Sequence, residues 1–354
     1  MSERDRGDKG FDSSGLSRRD FLKSGLLLGT VAVLPASSIY CGDSGSQTRD
    51  GGSAYKPAGK KGRSLVVRAV DNSVYKDDGE LNRKRVSKLL EKALEKFFGG
   101  EAVGGLRELF HPGETIGIKI NGLSGRMMST SVPVVYSLIE LLSRAGIKKN
   151  KIVIWDRFNR DLKRAGYTIN YRGQGPLCYG TDAAGFDQQL LVYRSIGSLI
   201  TRIITNHCDS IINIPVMKDH GIVGVTLSMK NFFGAIHNPN KYHINAGNPY
   251  VADLYSHALI RKKVKLTILD GLMAQYEGGP PYHPQWTWKY SGFLLSEDPV
   301  ALDYTAWRII EGKRKENGLP SLKEVKRNPD YIFTAEKLGI GTADPEKIVI
   351  TDAV

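Results

Sequence analysis

The sequence predicts an α/β protein in which helices cover both faces of a mainly parallel, or mixed, β-sheet. Short runs of apolar and β-branched residues alternate along the chain with stretches whose apolar residues recur at helical spacing. Continuous apolar strands are typical of a sheet that is buried on both faces. Alternation of strands with helices is typical of parallel strands joined by crossover helices. The hydrophobic content of 41% is ordinary for a globular chain of this length.

Each element follows from a local pattern. The runs that predict strands are residues 65–70, 115–120, 151–155, 210–215, 266–269, 293–296 and 347–350. Residues 81–98 have the apolar spacing of an amphipathic helix. Residues 131–145 predict another helix, with Ser131 as N-cap and Pro133 in the first turn. Asp298 and Pro299 give the same start signal for a helix after the strand at 293–296.

Residues 1–38 predict a twin-arginine signal peptide. Arg18 and Arg19 stand in the sequence SRRDFLK, and the apolar run 25–34 follows. That run is too short for a bilayer-spanning helix, which needs roughly 20 residues, but it suits a signal peptide. Small residues at 36–38 place cleavage after Ser38. The alternative is a short amphipathic helix that happens to carry two arginines. We expect export by the twin-arginine translocase to the periplasm or another extracytoplasmic site.

Residues 39–63 predict a flexible linker before an α/β domain at 64–354. The linker is rich in Gly, Ser, Lys and Asp and has few large apolar residues, so ordering it would not be offset by burial. Cys41 raises the question of a lipid anchor. A lipoprotein signal has a small residue before the acylated cysteine, and Tyr40 occupies that position here, which argues against anchoring.

Composition limits the partners and cofactors. The formal net charge is +13, but the basic residues are scattered, and this favours solvated faces, an anionic small ligand or an envelope surface over nucleic acid. After Cys41, only Cys178 and Cys208 remain, which is too few for an iron–sulfur cluster held by this chain alone. These two could form one disulfide in an oxidising compartment.

Ligands of open α/β sheets bind beyond the carboxyl ends of the strands, so the polar residues at those ends are the first candidates. Asn121, Ser124 and Arg126 follow the strand at 115–120, and Ser131 opens the next helix. Glycine and hydroxyl residues before a helix can hold a phosphate or a carboxylate. A simple capped loop is the alternative for this segment.

The richest segment is residues 216–234, which follows the strand at 210–215. Lys218, His220, Lys230 and Asn231 lie among glycines and apolar residues there. Lysine and histidine at a strand end can bind an anion or transfer a proton, which makes Lys218, His220 and Lys230 the candidate catalytic residues and Asn231 a candidate ligand-binding residue. The alternative is a solvated loop.

A metal site is a further hypothesis. Asp270 follows the strand at 266–269, and Glu277 precedes a Gly-Gly-Pro-Pro turn. Carboxylate oxygens at a flexible turn are suited to a metal ion, so Asp270 and Glu277 are the candidate metal ligands.

These residues together resemble the family catalogued as domain of unknown function 362. The resemblance lies in Lys218-x-His220, in Lys230-Asn231-x-x-Gly234, in Asp270-Gly271 with 277–280, and in 298–303, and it spans most of residues 65–354. Some members of that family have an additional cysteine-rich ferredoxin segment, which this chain lacks. The resemblance implies the fold and the positions of the site but names no reaction.

Two functions remain open, beside a structural or partner-docking role. The first is an exported enzyme that uses a metal ion or an anionic cofactor at the carboxyl ends of the strands. The second is a non-catalytic periplasmic protein that binds an anionic small ligand through the same loops. Substrate, metal identity and oligomeric state do not follow from these patterns.

Overall fold

The structure, a computed structural model, describes residues 62–354. The predicted signal peptide, Cys41 and nearly all of the predicted linker lie outside the described residues. The strands are β1 Ser64–Val70, β2 Ile116–Ile120, β3 Ile152–Trp155, β4 Leu177–Cys178, β5 Leu191–Tyr193, β6 Ile196–Ser198, β7 Ser210–Ile214, β8 Val216–His220, β9 Gly224–Thr226, β10 Val264–Gln275, β11 Thr287–Trp288, β12 Gly292–Ser296 and β13 Ile348–Asp352.

The helices pack against both faces of the sheet. They are α1 Arg83–Phe98, α2 Ala102–Leu109, α3 Val132–Arg144, α4 Asn159–Arg164, α5 Thr181–Ala184, α6 Tyr250–Ser256, α7 Ala258–Arg261, α8 Pro299–Glu316 and α9 Tyr331–Lys337. Short 3₁₀ segments occur at Asn72–Val74, Lys149–Lys151, Lys230–Ala235, Pro239–Tyr242, Asn245–Gly247 and Pro284–Trp286, and a π turn at Ile203–His207. None of the helices within residues 62–354 is long and apolar enough to cross a membrane.

The main sheet has the order β13-β1-β12-β10-β7-β2-β3-β4. Strand β12 is antiparallel to both of its neighbours, whereas the run from β10 through β4 is parallel. The predicted mixed, mainly parallel sheet is therefore confirmed. The parallel strands β7, β2 and β3 all end at one edge of the sheet, which brings the residues after them together.

Alternate residues of the strands enter two separate cores. Leu65 and Val67 of β1 pack into the core formed with α1, α2 and α3. Val66, between them, packs into the core formed with α6, α8 and α9. This alternation follows from the two-residue repeat of a strand and places helices on both faces, as predicted.

One predicted boundary and one alternative interpretation are wrong. The strand predicted to stop at 269 continues as β10 to Gln275, so Asp270 lies within a strand. The segment at 216–226 is not a solvated loop, because β8 and β9 form a buried antiparallel hairpin. A hydrophobicity pattern does not reveal this hairpin, because its sequence is polar. Its charged residues can nevertheless be buried, because they pair with groups distant in sequence.

Two smaller expectations are also corrected. Ser131 occupies the N-cap position of α3, but its side chain makes no capping hydrogen bond. By contrast, the Asp298 side chain does cap α8, since it accepts hydrogen bonds from the amides of Val300 and Ala301. Cys178 and Cys208 are both free, buried thiols rather than a disulfide.

Candidate functional site

A cavity of about 470 Å³ lies where β2 and β3 end and where the β8–β9 hairpin begins to cover the sheet edge. Asn121 follows β2 and Asp156 follows β3, and both line it. The cavity is lined by Asn121, Leu123, Asp156, Arg157, Phe158, Asp161, His220, Ile222, Thr226, Lys230, Asn231, Phe233, Gly234, Pro239, Asn240, His243 and Pro280. Its position agrees with the rule that ligands of α/β sheets bind beyond the carboxyl ends of the strands.

The floor of the cavity contains a buried ion pair. Lys119 Nζ lies 2.8 Å from Asp156 Oδ1, and both side chains are almost inaccessible. The same ammonium donates to the carbonyl oxygen of Ile120 at 2.6 Å, and the amide of Gly122 donates to Asp156 Oδ2 at 2.6 Å. A Cβ atom at Gly234 would lie 2.8 Å from Asp156 Oδ1. Only glycine therefore lets the chain pass this close to the pair.

Lys230 is the cation of the cavity wall. It begins the 3₁₀ segment Lys230–Ala235, is 7% exposed and lines the cavity. Its ammonium lies 3.3 Å from His243 Nε2 and 4.9 Å from the centre of the Phe233 ring. No carboxylate of residues 62–354 lies within ion-pairing distance of it. Burial, with a contribution from nearby Lys218, lowers the pKa of Lys230 to about 7.

His243 is held in one tautomer. Its Nδ1 lies 3.0 Å from the carbonyl oxygen of Pro239, which can only accept, so Nδ1 carries the proton. Nε2 is then a lone pair that accepts from the Lys230 ammonium. Burial and the charge of Lys230 lower the pKa of His243 to about 4. The ring is therefore neutral at neutral pH.

His220 is held in the opposite tautomer. Its Nδ1 accepts hydrogen bonds from the amides of Ile222, at 3.1 Å, and Val223, at 3.2 Å. The neutral ring must then carry its proton on Nε2. Burial and nearby cations, Lys230 first among them, hold the pKa of His220 far below its usual range. His220 is thus a hydrogen-bond donor that stays uncharged, and its ring centre lies 5.2 Å from that of His243.

Lys218 lies behind the cavity wall rather than in it. Its side chain is fully buried, and its ammonium donates to Asn121 Oδ1 at 2.9 Å, Ser124 Oγ at 2.7 Å and the carbonyl oxygen of Met128 at 3.1 Å. Ser124 in turn donates to the carbonyl oxygen of Pro280. All three protons of the ammonium are used, so Lys218 anchors the loop after β2. Burial lowers the pKa of Lys218 to about 7.

An amide network fixes the back of the cavity. Asn231 Oδ1 accepts from Lys119 Nζ at 3.2 Å and from Asn121 Nδ2 at 3.3 Å. Asn231 Nδ2 donates to Asn213 Oδ1 at 2.8 Å. The amides of Ser228 and Met229 donate to the buried carboxylate of Asp303, which holds the start of the 3₁₀ segment. The position of Lys230 and Asn231 is therefore fixed by the Asp303 carboxylate, which holds the residues before them, and by the hydrogen bonds of the Asn231 side chain.

Arg157 lies on the wall of the cavity, two residues after β3. Its Nη2 donates to the carbonyl oxygen of His237 at 2.6 Å, and its guanidinium lies 4.8 Å from the centre of the Phe158 ring. Its Nε is buried and has no hydrogen-bond partner among the described residues. Arg157 is therefore held in place with its buried Nε–H unused.

The predicted site residues fall into three groups. Asn121, His220, Lys230 and Asn231 line the cavity, and Lys218 and Ser124 support it from behind. Arg126 is exposed and does not line the cavity. The backbone amide of Ser131 donates to Asp270 Oδ2 at 2.7 Å, which directs that helix start toward β10 rather than toward the cavity.

The geometry gives no support to a metal at Asp270 and Glu277. Asp270 uses one oxygen for the amide of Ser131 and the other for that of Leu272. Glu277 is paired with Arg314 and Arg327, whose charges replace that of a cation. Within residues 62–354 no three His, Cys, Asp or Glu side chains are grouped as a metal would need.

The sequence patterns assigned no role to Lys119, Asp156, Arg157 or His243. The available signal was Lys119, a charged residue inside the apolar run IGIKI, which needs a buried partner. Asp156 follows the neighbouring strand and supplies it. His243 could not be found this way, because its contact with Lys230 is created by the 3₁₀ turns between them.

Three comparisons relate this chain to known proteins. Residues 116–308 match the model of the family described as domain of unknown function (DUF362). A thylakoid-associated protein of Synechocystis is 26% identical over an alignment of 276 positions that covers 71% of this chain and 78% of that protein. A Thermotoga maritima protein of known crystal structure aligns with a TM-score of 0.38 and 12% identity, over 68% of this chain and 60% of its own. Because the family match runs from β2 into α8, over more than half of the sequence, this chain belongs to the DUF362 family.

Proposed function

We propose that the cavity binds a small anionic ligand through a carboxylate or phosphate group that pairs with Lys230. The observation that carries this proposal is the buried Lys230 ammonium, which faces a cavity and has no carboxylate partner within residues 62–354. Its polar neighbour, His243, is neutral and cannot balance the charge. An anion in the cavity would supply the missing counter-ion.

The free-energy cost of burying the Lys230 charge favours the binding of an anion in the cavity. Removing an ammonium from water costs several kcal/mol in a protein unless a charge partner compensates it. Without an anion, the protein meets this cost by lowering the pKa of Lys230 to about 7. A ligand anion would form a charge-assisted hydrogen bond, which contributes about 1.5–3 kcal/mol. His220 Nε2 and Asn231 add uncharged polar groups to the same cavity.

The size and character of the cavity fit a small metabolite. Its volume of about 470 Å³ lies within the range of roughly 300–1,000 Å³ that is typical of small-molecule sites. Leu123, Phe158, Ile222 and Phe233 provide apolar walls for the uncharged part of a ligand. A few polar groups among apolar walls is the usual composition of such a site.

A thermal-shift comparison tests the proposal. Butyrate, methyl phosphate and the neutral analogue butyramide would be titrated against wild type, Lys230→Met and the surface control Lys84→Met. We expect the anions to raise the Tm of wild type and of Lys84→Met, with no effect of butyramide, and no response from Lys230→Met. Equal responses from Lys230→Met and wild type would reject Lys230 as the anion partner.

Proton transfer is a second candidate function, and one observation favours it. Two backbone amides occupy Nδ1 of His220, which leaves Nε2–H free to polarise a ligand oxygen. A lysine with a pKa near 7 is partly neutral at physiological pH and can accept a proton. The pair would suit removal of a proton next to a carbonyl group in a ligand whose acidic group does not pair with Lys230, because such pairing would keep the ammonium charged.

Deuterium exchange distinguishes an enzyme from a binding protein. 2-Oxobutyrate would be incubated in D₂O with wild type and Lys230→Met, and loss of its C3 proton signal followed by NMR. Faster exchange with wild type alone would support catalysis by Lys230. If 2-oxobutyrate raises the Tm but exchanges only at the buffer rate, binding without proton transfer is the better description.

An anionic cofactor would satisfy the same chemistry as a free ligand. Denaturing the protein purified without added ligand and analysing the released small molecules by mass spectrometry would identify such a group. A stoichiometric phosphorylated or carboxylated compound, reduced in Lys230→Met, would assign the cavity to a cofactor.

We also propose that residues 1–38 direct export of the folded protein by the twin-arginine translocase. Support comes from Arg18 and Arg19 before a short apolar run. Replacing both arginines with lysine in the full chain should retain the protein in the cytoplasm in a cell-fractionation experiment. Unchanged export of that variant would contradict the proposal.

A further inference from the structure

We infer that the ligand carries two acidic groups, one for Lys230 and a second for Arg157. This inference rests on the proposed anion-binding function and narrows the ligand to dicarboxylates or phosphorylated carboxylates. It follows from the charge balance of the cavity and from the unused donor of Arg157.

The charged side chains that line the cavity are Asp156, Asp161, Arg157 and Lys230. The two carboxylates already have cationic partners outside the lining. Asp156 pairs with Lys119 at 2.8 Å, and Asp161 pairs with Arg160 at 3.3 Å. Arg157 and Lys230 form no ion pair with any carboxylate of residues 62–354. With Lys119 and Arg160 counted and both lining cations protonated, this group has four positive charges and two negative ones. The charges of Asp156 and Asp161 also act on Arg157, but without an ion-pair contact.

The two histidines of the cavity do not change this balance. His220 and His243 both have lowered pKa values, because they are buried beside Lys230, and both rings are neutral at pH 7. A ligand with one negative charge would leave one cation of the lining without a counter-ion. A ligand with two negative charges would neutralise both.

Arg157 has the geometry of a ligand-binding group. The contacts of its guanidinium with the carbonyl oxygen of His237 and the ring of Phe158 hold it in one orientation. Its buried Nε–H has no acceptor among the described residues, and a buried donor without a partner costs free energy that a ligand oxygen would recover. Carboxylates and phosphates can accept from Nε and a neighbouring nitrogen of a guanidinium together.

The test is a comparison of matched acids by calorimetry. Butyrate and succinate have four carbons each but differ by one carboxylate, and methyl phosphate and 2-phosphoglycolate make the same comparison for phosphates. A series of malonate, succinate, glutarate and adipate measures the spacing of the two sites. Each acid would be titrated into wild type, Arg157→Met, Lys230→Met and Arg126→Met, the last being an exposed arginine outside the lining.

In wild type and Arg126→Met we expect the best diacid to bind at least about 10-fold more tightly than its monoacid, the ratio expected for one charge-assisted hydrogen bond. In Arg157→Met this advantage should disappear while the monoacid keeps its affinity. Arg157→Lys, which retains the charge but lacks the guanidinium Nε, should keep part of the advantage of the diacid. The carboxylate and phosphate pairs show which second group Arg157 prefers.

The outcomes separate this inference from the proposed function. If monoacids bind and Lys230→Met abolishes their binding, but diacids gain nothing, the function stands and the second anionic group is wrong. An equal loss of both classes in Arg157→Met would also overturn it, since Arg157 would then act on the whole cavity. If no acid binds wild type, both proposals fail.

Discussion

The Lys230 ammonium lies 3.3 Å from Nε2 of a histidine, His243, whose other nitrogen is directed at the carbonyl oxygen of Pro239. His243 can accept a hydrogen bond from the Lys230 ammonium but cannot balance its positive charge. An anion that enters the cavity is therefore expected to raise the pKa of Lys230 from about 7 toward its ordinary value near 10.5. Binding above pH 7 must then be accompanied by uptake of a proton.

The sign of this effect fixes a pH dependence. Below pH 7 Lys230 is protonated before the ligand arrives, so affinity is highest there and no proton is taken up at this group. Above pH 7 the free site is mostly neutral, and affinity should fall by about tenfold per pH unit. Calorimetry of succinate binding at pH 8 in buffers of different ionisation enthalpy should give an uptake of about 0.9 proton, from the fraction that is neutral at that pH.

The same titration at pH 6 is the internal control, with uptake near zero from Lys230. A proton uptake at pH 8 that persists in Lys230→Met would assign the linkage to another group. No uptake at pH 8, with tight binding, would mean that Lys230 is already fully charged in the free protein.

The Lys119–Asp156 pair should be essential for stability. Asp156→Asn leaves a buried ammonium without its counter-ion, and breaking a buried pair from one side costs about 3–5 kcal/mol. Urea denaturation should show this loss in the free energy of unfolding. The matched control is Glu140→Gln, which breaks the solvent-exposed pair with Lys149 and should cost less than about 1 kcal/mol. Equal effects of the two substitutions would contradict the buried-pair description.

Much of the fold could be predicted because local patterns and tertiary packing agree there. The apolar runs at β2, β3 and β7 and the helical spacing of α1 need no distant information. The β8–β9 hairpin could not be predicted, because Lys218 and Asp219 are polar and yet buried. They are tolerated only through partners that the fold brings together, such as Asn121 for Lys218 and the amide of Gly279 for Asp219.

The part of the candidate site that follows strand ends could be predicted, because ligands of α/β sheets bind there. The part that tertiary contacts create could not be predicted. His220, Lys230 and Asn231 were identified because polar residues cluster after a strand. Arg126 was named as a candidate and Arg157 was not, although both follow predicted strands, because only the fold shows that Arg157 is the one that lines the cavity. Asp270 was misinterpreted as a strand end, although β10 continues beyond it.

Asp270 should contribute to stability and not to metal affinity. Its carboxylate accepts hydrogen bonds from the backbone amides of Ser131, at 2.7 Å, and Leu272, at 3.0 Å. In Asp270→Asn an amide group replaces one acceptor and leaves a buried N–H without a partner, which costs about 1–3 kcal/mol. Urea denaturation should show that loss, while titration with Mg²⁺ and Mn²⁺ should give the same result for the variant and wild type. A metal affinity that disappears in Asp270→Asn would restore the metal hypothesis.

Lys218 should act as a positioning residue for the loop after β2 rather than as a catalytic residue. Lys218→Met removes three hydrogen bonds that anchor Asn121, Ser124 and Met128. We expect amide hydrogen exchange in peptides covering 121–130 to become about tenfold faster or more, which corresponds to a loss of roughly 1.4 kcal/mol in local stability. Peptides from α8, which pack elsewhere, should exchange as in wild type, and so should all peptides of Lys84→Met.

The comparison with Lys230→Met separates positioning from ligand binding. Lys230→Met should lose anion binding while the 121–130 peptides keep their protection, because no hydrogen bond joins Lys230 to that loop in residues 62–354. Lys218→Met should show the opposite pattern: faster exchange in the 121–130 peptides and only a partial loss of succinate affinity. If exchange rises uniformly over the whole chain in Lys218→Met, its role is general stability of the core and not the placement of this loop.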